Sequence, residues 1–402
     1  MFDFDTVHDR LAWSATKWAK YRGRDVLPLW IADMDFPSPP AIHAALAAQV
    51  AHGNYGYSAV PPDLTTLLVD DHRQRYDWRI DPAWITWLPG LVLGLNLAVK
   101  ACCAPKEKVI SFSPVYPPFL QAPVAQGCEL INIPFKPLNA AGTDLAIDFA
   151  RLDAVLSAAS DDSAASRPAT RLLLLCHPHN PIGRLFSDDE LDRLSAFCER
   201  HGLYVCSDEV HCDLILDGST PHRPFAQRLA ERSPALLART ITLHGPGKTY
   251  NVAGLGIAWA IIPDSGLRRR FRMAMQHLVP SPCSFGYRAA RAALTDCEAW
   301  RQALLARLRA NRDQADAALT RMGLAHTCPT VGYLTWIDAR ELASEVGNVA
   351  DWFERHGVGL SDGAEFGSPG YLRLNFATQP DLLHEALARM ERAMANRKHL
   401  QA

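Results

Sequence analysis

The stretch Thr240-Ile-Thr-Leu-His244-Gly-Pro-Gly-Lys248-Thr-Tyr-Asn-Val-Ala-Gly-Leu255 decides the fold. Its first four residues form a short apolar run of the kind buried in a parallel sheet. A loop of small residues follows, and one lysine, Lys248, stands in it. Nearby glycines let other groups approach this lysine closely, which suits an amine that forms a Schiff base with an aldehyde cofactor. Taken alone, the pattern also fits a solvated loop lysine.

Two upstream stretches narrow the choice. Arg171-Leu-Leu-Leu-Leu-Cys176 runs into His177-Pro-His-Asn180-Pro-Ile-Gly183-Arg184, and Leu203-Tyr-Val-Cys206 runs into Ser207-Asp208-Glu209-Val-His211. Both read as buried strands ending in polar loops, at the sheet end where open α/β folds collect ligands. Asn180, Asp208 and Lys248 on three successive strand ends match the needs of pyridoxal 5'-phosphate. A carboxylate beside the pyridine nitrogen keeps it protonated, so the ring accepts electrons from a substrate carbanion. An amide can bond the phenolic oxygen, while the lysine binds the aldehyde and later moves protons. Singly, Asp208 reads as a helix cap and Asn180 as a turn residue. The three in this order point to a cofactor site.

Other segments add to it. Pro89-Gly90-Leu91-Val92 joins a strand to the helix Leu93–Cys102, so free N–H groups and the helix dipole face one spot where a phosphate fits. An ordinary tight turn is the alternative there. Tyr116 stands between prolines just past a strand, and Arg373 lies inside the alternating strand Tyr371–Phe376. A buried arginine needs an anion, met either by a substrate carboxylate or by a structural salt bridge.

With Phe2-Asp-Phe-Asp5, Lys17-Trp18, Leu29-Trp-Ile-Ala-Asp33-Met-Asp35-Phe36 and Tyr55-Gly-Tyr57, these motifs extend over nearly the whole length. On them the chain resembles the MalY/PatB-type cystathionine β-lyases (C–S lyases), fold-type I pyridoxal-phosphate enzymes of the aminotransferase class I/II superfamily. The resemblance implies an α/β fold, with a mostly parallel sheet in a large domain. A smaller α+β domain would come from the N-terminal arm and the C-terminal part. It implies a homodimer with shared sites, in which Tyr57 reaches the phosphate of the neighbouring subunit's cofactor. It makes Lys248 and Tyr116 catalytic, with Tyr116 against the cofactor ring. Asn180, Asp208, His211, Gly90, Leu91 and Val92 would also hold the cofactor. Arg373, with Asn180, would hold the carboxylate of a small amino-acid substrate.

Two features argue for elimination over transamination. Aminotransferases of this fold commonly carry Asp-x-x-Tyr and an arginine after the lysine; here Asp208 is followed by His211, and the later stretch reads Gly254-Leu-Gly256. Both variants resemble the C–S lyases, which release a thiol from Cβ and yield pyruvate and ammonia. Gly247 replaces the family's usual serine, His177 its usual asparagine and Tyr250 a frequent phenylalanine. These changes leave the substrate open among cystathionine and other S-substituted cysteines. An aminotransferase, or a biosynthetic enzyme that eliminates or cyclises an unusual amino acid, is the alternative. A purely regulatory protein that keeps the fold is disfavoured by intact Lys248, Asp208, Asn180 and Arg373.

The 402 residues, 48% of them hydrophobic, suffice for one large α/β domain with a smaller attached one. A net charge of -2 gives no electrostatic case for nucleic acid or an anionic membrane. No N-terminal signal-like run and no apolar run long enough to span a bilayer occurs. The 10 cysteines are scattered without C-x-x-C pairs, which suits reduced thiols in the cytoplasm. No metal site is expected, because the spacing of His201, His211 and Cys212 is unsuitable. The expected organisation is an arm at 1–45, a cofactor-binding domain at 46–285 and a small domain at 286–402. A surface loop is expected at 158–169 and a long helix over Trp300–Met322.

Overall fold

The structure, a computed structural model, describes residues 2–139, 141–157, 169–218 and 222–397. All but the last residue of the expected loop at 158–169 lies outside them. The framework is a seven-stranded sheet. In spatial order its strands are Ile85–Leu88, Ala258–Ile261, Thr240–His244, Tyr204–Asp208, Thr170–Cys176, Lys108–Ser113 and Glu129–Pro134. Five of them, from Thr240–His244 to Glu129–Pro134, pair in parallel, while Ala258–Ile261 is antiparallel to both its neighbours.

Continuous apolar runs form these strands because both faces of the sheet are covered. Leu172 and Leu174 point into one core with Leu95, Val99 and Phe271, whereas Leu173 and Leu175 point into another with Phe197 and Phe225. Each such leucine contributes roughly 2 kcal/mol by leaving water. The register places Cys176 opposite Asp208 and Asp208 opposite Leu243, so the polar residues that end these strands emerge at one level.

A second sheet lies in the C-terminal part, with Leu334–Asp338 and Tyr371–Asn375 antiparallel at its centre. The helices Glu298–Arg321 and Pro380–Arg397 pack in the same core. Leu27–Pro28 pairs in parallel with Val358–Gly359, so the N-terminal segment runs along this C-terminal layer. The helix Pro40–His52 continues across the expected boundary at residue 45, started by Pro40 in its first turn, where a missing N–H costs nothing. The helix of the Gly90 loop begins at Leu91, two residues earlier than the apolar pattern suggests. Among the described residues no helix is long and apolar enough to cross a membrane.

Candidate active site

Gly90, Leu91, Val92, Tyr116, Asn180, Asp208, His211 and Lys248 line one cavity at the C-terminal ends of the parallel strands. Lys248 lies four residues beyond the strand Thr240–His244, and its Nζ donates to the carbonyl of Ala32 at 2.7 Å. Burial, reinforced by the charge of Arg373, lowers its pKa to about 8, while Asp33 and Asp208 oppose that shift. Roughly a tenth of this amine is therefore neutral at pH 7, far more than for an ordinary lysine.

Asp208 ends its strand and accepts a hydrogen bond from the Val210 N–H at 3.2 Å. Burial raises its pKa to about 7, and the Val210 bond and Lys248 pull the other way. A cationic group beside it would complete the ionised form. His211 is buried, its Nδ1 has no partner among the described residues, and burial lowers its pKa to about 3, so its ring is neutral. Asn180 is held by its own backbone, which donates to Cys176 Sγ at 3.4 Å and accepts from the Tyr116 N–H at 3.1 Å. This ties Tyr116 to the asparagine loop, and burial raises the phenol's pKa.

Arg373 is only 4% exposed. It donates to the Trp30 carbonyl at 2.7 Å, to Asn180 Oδ1 at 3.2 Å and to Ser361 Oγ at 3.3 Å, and lies over the Phe366 ring. Among the described residues its Nε is buried without a partner and no carboxylate pairs with it. Burial lowers its pKa to about 10. A buried cation with an unused donor beside the cavity calls for an anionic ligand.

The residues fit pyridoxal phosphate. The helix Leu91–Cys102 starts at Gly90 with no side-chain cap, so its first N–H groups open into the cavity where a phosphate can take them. Asp208 can face a pyridine nitrogen, and Lys248 an aldehyde. Tyr57 stands apart from this cavity: it is fully exposed on the surface of the single chain.

Sequence reasoning missed two members of the site. The carbonyl of Ala32 accepts from Lys248 and also from the Tyr333 hydroxyl, at 3.1 Å. A backbone oxygen carries no sequence signature, and Tyr333 reads only as the start of a strand. Beneath the site, Cys212, Asp213 and His244 bring a thiol, a carboxylate and an imidazole within 4.8 Å of one another, all buried. The Cys212 Sγ and His244 Nε2 touch directly at 2.6 Å, and the Tyr76 hydroxyl bonds both Cys212 and Asp213.

Residues 24–390 match the family described as aminotransferase class I and II. The chain is 32% identical to cystathionine beta-lyase PatB of Bacillus subtilis (strain 168), over 98% of this chain and all of the relative. The chain belongs to this family. A crystal structure of OvoB is 38% identical, with a TM-score of 0.89 over 98% of this chain and 99% of that one. Cystalysin from Treponema denticola, whose crystal structure contains pyridoxal 5'-phosphate, is 27% identical with a TM-score of 0.90, covering 98% and 99% of the two chains. Family membership therefore agrees with the fold and with the cofactor that the cavity fits.

Proposed function

We propose that this chain is a pyridoxal-phosphate-dependent C–S β-lyase that splits cystathionine or another S-substituted L-cysteine into a thiol, pyruvate and ammonia. The observation that carries the reading is a buried amine and a buried carboxylate lining one cavity, with a buried guanidinium bonded to Asn180 of its wall, in a chain 32% identical to a cystathionine β-lyase. Bound pyridoxal phosphate supplies an electron sink that acidifies the substrate's Cα–H.

The chain's own residues do the rest. Arg373 binds the α-carboxylate through the donor it does not use internally, and Asn180 orients that guanidinium from its other side. Neutral Lys248 takes the Cα proton at Nζ and then gives a proton to the departing sulfur, whose thiol pKa lies close to that of the lysine. Asp208 would hold a proton on the pyridine nitrogen, and Tyr116 and His211, which line the same cavity, would hold the ring. The N–H groups of Leu91 and Val92 would hold the phosphate, and Tyr57 from a second copy of the chain would complete that end. We infer a homodimer on this ground. The cysteines of the described residues are all free, in keeping with a reducing cytoplasm.

The test is a product assay on cofactor-loaded protein with L-cystathionine and a panel of S-substituted cysteines, with no keto acid added. Pyruvate, ammonia and free thiol in equal amounts are expected. Turnover only after addition of a keto acid would instead establish an aminotransferase.

A further inference from the structure

The segment Trp30–Phe36 crosses the site as a strap whose carbonyls are taken by side chains from three parts of the chain. Trp30 O accepts from Arg373 and Ser361, Ile31 O and Asp33 O from Asn375 Nδ2, and Met34 O from Arg10 and Asn251. The oxygen of Ala32 stands in the middle and accepts from Lys248 Nζ at 2.7 Å and from the Tyr333 hydroxyl at 3.1 Å. Arg373 and Lys248 are therefore gripped by carbonyls two residues apart on one fixed segment.

A base that takes a proton from one atom and delivers it to another needs a fixed station. We infer that Tyr333 is a positioning residue for Lys248, acting through the carbonyl of Ala32, which is the lysine's station. The inference rests on the reading of Lys248 as the base. Tyr333 is fully buried and directly precedes the strand Leu334–Asp338, so the carbonyl is held by a residue of the C-terminal layer as well as by the lysine's own loop. Its hydroxyl proton shares the carbonyl's electron density with Lys248. That weakens the oxygen's pull on an ammonium and favours the neutral amine. The other charged or titratable groups facing Lys248 are Asp33 of the strap, Asp208 and His211 of the sheet end, and Arg373 of the C-terminal sheet. Burial raises the Tyr333 pKa, so its phenol is neutral and loss of the hydroxyl removes no charge from this group.

Tyr333→Phe tests this, because the ring stays and only the donor is lost. With the carbonyl freed, Lys248 should hold its proton more tightly. The acidic limb of the kcat profile should move up by about half a pH unit or more, with kcat down about tenfold and KM within about twofold. A readout independent of turnover is the rate at which the cofactor-free chain captures pyridoxal phosphate, followed by visible absorbance; its pH midpoint should move the same way. Placing 3-fluorotyrosine at position 333 keeps the hydroxyl and strengthens its donation, so both midpoints should fall. Midpoints that stay in place in variants with unchanged melting temperature would overturn the inference. Lys248→Ala separates the two levels: full elimination activity in that variant removes the base assignment itself, whereas its loss alongside unmoved Tyr333 midpoints removes only the role of Tyr333.

Discussion

The base chemistry proposed for Lys248 depends on where it is buried. Loss of hydration and the charge of Arg373 lower its pKa to about 8, and the carboxylates of Asp33 and Asp208 restrain the shift. The sign follows directly: below that value the amine is protonated and cannot accept the Cα proton. The kcat of the loaded enzyme should therefore rise with pH through about 8 and level off above it, as measured by pyruvate release from a good cysteine conjugate. A kcat independent of pH between 6 and 9 would show that proton abstraction by Lys248 does not limit turnover (about three units around that midpoint). Gly247, where the family commonly has serine, is a matter of chemistry and not of space. A Cβ there meets nothing nearer than Ala253 at 3.4 Å, so packing does not exclude a larger residue at the Cβ.

Elements position these residues through close contacts at small side chains. Gly94 sits in the first turns of the helix whose start opens on the cavity, and a Cβ there would lie 2.9 Å from Leu243 and 3.1 Å from Leu88. Leu243 is fully buried one residue before His244, so it has no room to yield. Gly94→Val should force this helix away from the sheet. We expect a loss of about 1–3 kcal/mol by denaturant unfolding, together with weaker retention of pyridoxal phosphate on dialysis. Unchanged stability and retention would mean that the helix adjusts freely. The strand runs that bear the site were legible in the sequence because an apolar run buried on both faces has few other readings. Asn180, Asp208 and Lys248 were legible because each follows such a run. The strap was not. Its function lies in carbonyl oxygens, and its partners Asn251, Tyr333 and Asn375 come from distant parts of the chain that only the fold brings together.

At the scale of the whole molecule, the proposed dimer bears on the exposed end of the site. Val92 lines the cavity yet is 43% exposed, and Tyr57 projects wholly into solvent near residues that include exposed Tyr55 and Val50. A contiguous exposed apolar patch is where another molecule binds, and Tyr57 is proposed to belong to one. A two-fold dimer would cap the open phosphate end of each cavity with Tyr57 from the other copy. This arrangement has a consequence that no monomeric site shares. Tyr57→Ala should weaken cofactor retention and lower activity, and Lys248→Ala should abolish activity. Mixing the two variants under conditions of subunit exchange should then restore activity. In a hybrid dimer, one cavity has both defects and the other has neither. With half of the dimers hybrid, about a quarter of the wild-type activity is expected. Activity equal to the mean of the two parents, with exchange verified by mass, would show that each cavity works without its neighbour.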